Sequence, residues 1–229
     1  MALGNFTTTK NVNCGSALGN IWAGGGTISA WMNLSSRGPG DFGRIIDRGY
    51  AGGNGWTLAS TNNDALGLAV NFSTNPGAWW TGASSAPYGS DLHLAVTYDS
   101  DSTANDAILY FNGAVESSSE TFTPSGTAID DSSTTIYLGN DSGSSYSCDG
   151  ILGHIKIWNR ILSAAEVAVD ANGGLVGYGL ISWWSLMDGA PGVSASGSGA
   201  IRDVVGGNHG TPANSPVFQE DFSKIKVAA

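Results

Sequence analysis

The sequence predicts an all-β protein: two antiparallel sheets packed face to face as a jelly-roll sandwich, with one short helix. Three observations predict it. Period-two alternation recurs in short runs, turn-forming tracts separate those runs, and a single segment carries helix-capping signals. Of 229 residues, 34 are glycine, about twice the ordinary share of ~7%, and no G-X-Y period runs through them. The 41% hydrophobic fraction supplies a core, while the 12% charged fraction is about half that of an ordinary soluble domain.

Taken in order, Ile28, Ala30 and Met32 share one face of the first clear strand, and residues 44–47 and 56–59 are shorter candidates. Leu66, Leu68, Val70 and Phe72 line another face, as do Leu92, Leu94, Val96 and Tyr98. Residues 108–111 lead into Asn112-Gly113, a pair that takes the positive φ values of a hairpin turn, so a return strand follows at Val115. Further strands are expected at 136–138, 151–158 and 180–186. Between them, Gly52-Gly53-Asn54-Gly55 and residues 141–147 are turn formers, and 187–200 reads as a surface loop. The helix falls at 163–171: Ser163 caps it, Glu166 reaches back three residues later, and Asn172-Gly173-Gly174 stops it. One short helix among about ten strands excludes alternating βαβ units. Residues 1–229 therefore read as one jelly-roll domain, with 175–229 a C-terminal extension that packs on or completes the sandwich.

Nine basic against nineteen acidic residues give a net charge of −10, which repels phosphate backbones and anionic lipid, so nucleic acid is excluded as a partner. No apolar run approaches the ~18 residues of a membrane span. Residues 1–13 lack the basic and apolar regions of a secretory signal. Cys14 and Cys148 are compatible with one disulfide across the fold or with two free buried thiols.

Three segments resemble the laminin-G-like jelly rolls of the concanavalin A-like lectin and glucanase superfamily. They are Thr27-Ile28-Ser29-Ala30-Trp31-Met32; Leu92-His93-Leu94-Ala95-Val96-Thr97-Tyr98-Asp99 with Leu109-Tyr110-Phe111-Asn112-Gly113; and Asp149-Gly150-Ile151-Leu152-Gly153-His154-Ile155-Lys156-Ile157-Trp158-Asn159-Arg160 running into Leu162-Ser163-Ala164-Ala165-Glu166. Their order and spacing match over residues 1 to about 170. Later segments, Ile181-Ser182-Trp183-Trp184-Ser185-Leu186 and Gly206-Gly207-Asn208-His209-Gly210-Thr211, resemble a stretch that opens the domain in many members but comes last here. The resemblance, in its phage and environmental form, implies a virion protein by analogy. It also implies an early metal loop, which would fall at residues 5–13; no carboxylate occurs there, and Gly153-His154 replaces the acidic pair usual in the later strand. Calcium needs such oxygens, so no cofactor and no calcium site of that kind are expected.

Glycoside hydrolysis in this fold needs two positioned carboxylates. The four glutamates are Glu116 and Glu120 around three serines, Glu166 in the helix cap and Glu220 near the end, and none forms a clustered acidic strand. Glu116 and Glu120 read as a solvent-facing edge on one strand. His93, His154 and His209 are scattered without metal-ligand spacing, and His93 reads as a surface or hydrogen-bonded structural imidazole. Asp130-Asp131 and Asp141 read as solvated carboxylates, with a hard-ion site the alternative. Eight tryptophans and seven tyrosines supply flat apolar faces that stack on sugars or fill interfaces. Trp31, Trp158 and Trp183 or Trp184 fall in apolar strands and read as core. Trp79 and Trp80, after Asn75-Pro76-Gly77 in a loop or short edge strand, and Tyr50 are the candidate ligand or partner contacts, with Asp47 and Arg48 as a nearby surface ion pair. The expectation is a non-catalytic virion-associated display protein, a homo-oligomer at the virion surface, with other virion proteins or cell-surface glycans as partners. The alternatives are a free extracellular carbohydrate-binding module and, third, a polysaccharide hydrolase or lyase.

Overall fold

The computed structural model describes residues 2–4, 6, 7, 9–220 and 222. In chain order the strands are β1 (Ala2–Gly4), β2 (Asn11–Asn13), β3 (Gly26–Ser36), β4 (Arg44–Arg48), β5 (Trp56–Ser60), β6 (Leu66–Val70), β7 (Gly77–Thr81) and β8 (Leu92–Tyr98). They continue with β9 (Ile108–Phe111), β10 (Ala114–Glu116), β11 (Ser118–Phe122), β12 (Tyr137–Leu138), β13 (Asp149–Trp158), β14 (Leu180–Trp184), β15 (Thr211–Ala213) and β16 (Val217–Gln219). One helix, α1 (Ala164–Ala171), follows β13. The first sheet runs β10-β9-β8-β3-β13-β1-β16, with β14 also paired to β13; the second runs β11-β7-β6-β5-β4-β12-β2-β15. The fold is the two-sheet antiparallel sandwich that the alternation predicts.

Side chains of one parity on each strand meet between the sheets. Ile28, Ala30 and Met32 of β3 and Leu94 and Val96 of β8 face Leu58 of β5 and Leu66 and Leu68 of β6 in one continuous core. The outward parity of the first sheet is covered by α1, where Val167 packs with Ala95, Tyr110 and Trp158. Ser163 and Glu166 form the reciprocal capping box that starts this helix. The expected hairpin is present: Phe111 pairs with Ala114, and Asn112 and Gly113 have φ of 50° and 85°. Strands from the C-terminal region join both sheets, β14 and β16 the first and β15 the second.

Several local expectations need correction. Trp79 and Trp80 lie in β7, which is paired on both sides, to β6 and β11, because the segment 118–122 supplies the edge instead. Glu116 and Glu120 do not share a strand; the chain crosses from the first sheet to the second between them. Of the two readings open for Cys14 and Cys148, the structure shows two free, buried thiols. Cys14 follows β2 with its amide on Ile136 O, and Cys148 precedes β13 with its amide on Gly139 O. Burial pushes both thiols well above their ordinary value.

Candidate functional site

Five loops emerge where β3 and β5 begin and β6 and β8 end: residues 14–25, 49–55, 71–76, 99–107 and 123–136. They enclose a cleft of about 370 Å³ whose lining includes Trp22, Trp56, Val70, Asn71, Ser100 and Ala128. That volume lies toward the lower end of the ~300–1,000 Å³ of small-molecule sites.

An aromatic layer closes the core beneath the cleft. Trp22 meets Trp56 edge-on at 5.5 Å between ring centres and Tyr98 at 6.0 Å, and Tyr98 meets Trp79 at 4.6 Å. Trp79 then ties down one wall, because its Nε1–H donates to Asp106 at 2.9 Å in the 99–107 loop. Gly24 N–H donates to Asp101 in the same loop, and Ser100 N–H to Trp22 O.

The other wall is fastened by a buried charge. Arg48, at the end of β4, is fully buried; it donates Nε and Nη2 to Asp131 O and Nη2 to Ser16 O, and its Nε lies 3.2 Å from Asp131 Oδ1. Asn20 and Asp131 exchange reciprocal hydrogen bonds between amide N–H and side-chain oxygen. Burial raises the Asp131 carboxyl and lowers Arg48 from their ordinary values. Exposed Asp130 is instead held down at about 2 by the Ser132 N–H, the Ser132 hydroxyl and Asn20. Asn71 Oδ1 accepts from Gly55 N–H across the mouth of β5. The expected surface pair Asp47–Arg48 is thus replaced by two buried pairs, Arg48–Asp131 and Arg44–Asp47, since alternation sends these neighbours to opposite faces.

The candidate contacts separate in the same way. Trp79 is 1% exposed and belongs to the core, so it presents no face to a ligand; this corrects its assignment as a contact. Trp80 points to the outer face of the second sheet, where Arg44, Ala59, Gly67, Trp80 and Ser119 form one cross-strand row. Arg44 lies 5.7 Å from the Tyr50 ring centre and 5.0 Å from that of Tyr146, so Tyr50 and Trp80 flank this face three strands apart. Beneath Tyr50, the Asp47 carboxyl is raised to about 6 by burial, against the pull of Arg44 and the Gly49 N–H.

A second polar cluster lies under α1. Asp170 accepts from Ser29 Oγ at 2.7 Å, His93 Nε2 at 2.9 Å and Lys156 Nζ at 2.5 Å, and Lys156 stands 5.0 Å from the Trp183 ring centre. His93 and Lys156 hold Asp170 at about 2 despite its burial. Four groups from β3, β8, β13 and α1 thereby fix the helix to the sheet. Sequence alone marks His93 as hydrogen-bonded at most; nothing in the spacing of Lys156 and Asp170 signals that they bury a charge together.

The family model described as the concanavalin A-like lectin/glucanases superfamily matches residues 6–168. The chain belongs to this superfamily. Among solved structures of this concanavalin A-like fold, a Bacteroides ovatus protein named for carbohydrate binding shares 16% identity at a TM-score of 0.65, covering 96% of this chain and 62% of its own. This chain therefore spans less than two thirds of that relative. The carbohydrate-binding module CBM40 of the Ruminococcus gnavus IT-sialidase shares 13% identity at a TM-score of 0.50, covering 74% of this chain and 100% of its own. Domains LG4-5 of the mouse laminin α1 chain share 12% at 0.51, covering 72% and 43%. A search of curated proteins returns no match. At these identities the likeness concerns the concanavalin A-like fold alone. The superfamily's early metal loop does not fit here: Asn11 donates to Asp141 O and Asn13 Oδ1 accepts from Gly15 N–H, and no carboxylate stands between residues 5 and 13.

Proposed function

We propose that the chain is a non-catalytic glycan-binding module that holds its ligand in the loop-end cleft. The cleft itself carries this reading: it is of small-molecule size and is rimmed by amide, hydroxyl and carboxylate groups over the buried Trp22 and Trp56 rings, a concave, polar-rimmed recess of the kind that holds a hydroxylated ligand. Of the three carboxylates lining the cleft, Asp101, Asp130 and Asp131, two are unsuited to acid catalysis. Asp131 is engaged by Arg48 and Asn20, and Asp130 is too acidic to donate a proton near neutral pH. Relatives named for carbohydrate binding support the reading by fold. It implies an extracellular setting and a single unit over residues 1–229, with 175–229 completing the sandwich.

A glycan array followed by calorimetry tests it. Saturable binding that Asn71→Ala weakens at least several-fold is expected; no binding across neutral and charged glycans would overturn it. Tyr50 and Trp80 supply an alternative contact face, supported by their flanking rings, and loss of binding in Trp80→Ala but not Asn71→Ala would move the site there. A virion component built from symmetric copies rests on segment order alone, and a closed oligomer in light scattering would favour it over the free module.

A further inference from the structure

We propose that the cleft discriminates by charge, taking the neutral, hydroxyl-bearing end of a glycan and rejecting one that carries a carboxylate or sulfate. The inference rests on the glycan-binding reading and adds the ligand class. Asp101 and Asp130 stand exposed on opposite walls, one on the loop after β8 of the first sheet and the other on the loop after β11 of the second. Among the described residues lining the cleft there is no lysine or arginine, and the whole chain carries −10.

Deeper in, the Trp22 ring backs the cleft at 3% exposure, with its Nε1–H closed to solvent. A ligand that suits these walls donates hydrogen bonds to carboxylates. A sugar hydroxyl can donate as well as accept. A carboxylate or sulfate oxygen only accepts, and brings a like charge between two others.

The test is an array of neutral oligosaccharides, each beside its sialylated, sulfated or uronate counterpart, with calorimetry on the pairs at low and high salt. The neutral member binds more tightly, by roughly two- to fivefold for each rim carboxylate at low salt, and the gap narrows as salt screens it. In Asp101→Asn/Asp130→Asn the acidic member gains on the neutral one; asparagine keeps an oxygen for the Gly24 N–H and the Asn20 amide. Acidic members that bind as well as or better than their neutral partners would overturn the inference and leave glycan binding standing. No binding by any member would overturn glycan binding itself.

Discussion

Trp79 and Trp80 are adjacent in sequence and opposite in environment. Trp79 fills the core and braces the 99–107 loop through Asp106; Trp80 lies on the outer face over Gly67, which has no Cβ to displace the ring. Trp79→Ala is expected to cost ~3–5 kcal/mol through the cavity it leaves and to loosen the cleft wall; a denaturant midpoint close to that of the native chain would contradict this. Asp170→Asn leaves Lys156 buried without its countercharge and should cost ~3–5 kcal/mol in the same measurement. The two buried aspartates also give opposite pH dependences. Asp170, depressed to about 2, stabilises the fold above its ordinary value of 3.8, and that contribution is lost as pH falls from 3.8 toward 2. Asp47, raised to about 6, favours the fold when protonated, so its contribution is present below 3.8 and lost as pH rises through 6. Denaturation midpoints across pH 4 to 6 should therefore show a downward component with rising pH, and Asp47→Asn should remove it.

At the scale of elements, what the sequence displays depends on strand length and on what the outward parity carries. β3, β6, β8 and β13 are long enough for alternation to register, Asn112-Gly113 marks a turn, and Ser163 with Glu166 marks a helix start. β1, β2, β12, β15 and β16 have two or three residues each, too few for a period. β7 hides for another reason: Gly77-Ala78-Trp79-Trp80-Thr81 places a tryptophan on each face and so cancels its own alternation. β11 is a polar edge. The cleft is invisible to motif reading because its lining comes from five loops separated by up to about a hundred residues. Only Tyr50 and Trp80 of the expected contacts reach a surface, and on a different face. Close strand approach is a condition of the cleft's shape. A Cβ on Gly55 would overlap the Arg48 carbonyl oxygen, so Gly55→Ala should force β4 from β5 at the cleft mouth, lowering stability and glycan affinity together. Unchanged affinity in a folded Gly55→Ala protein would contradict the role given to that contact.

For the whole molecule, the sandwich supplies two rigid layers, α1 and its buried ions seal one outer face, and the loops at one end are tied by Arg48–Asp131 and Trp79–Asp106 into a preformed recess. Preorganisation of this kind reduces the ordering cost of binding, and a rigid scaffold carrying loops is the usual place for recognition. Reducing agents should leave the denaturation midpoint unchanged, since Cys14 and Cys148 are separate thiols; a lowered midpoint would show a bridge. The claim that the recess is the binding site is tested most directly by nuclear magnetic resonance titration of the labelled chain with neutral oligosaccharides. Saturable amide shifts are predicted at residues 20–23, 55–56, 70–71, 100–103 and 126–131. Shifts confined to the sheet face around Trp80 and Tyr50, or no saturable shift with any sugar, would contradict it.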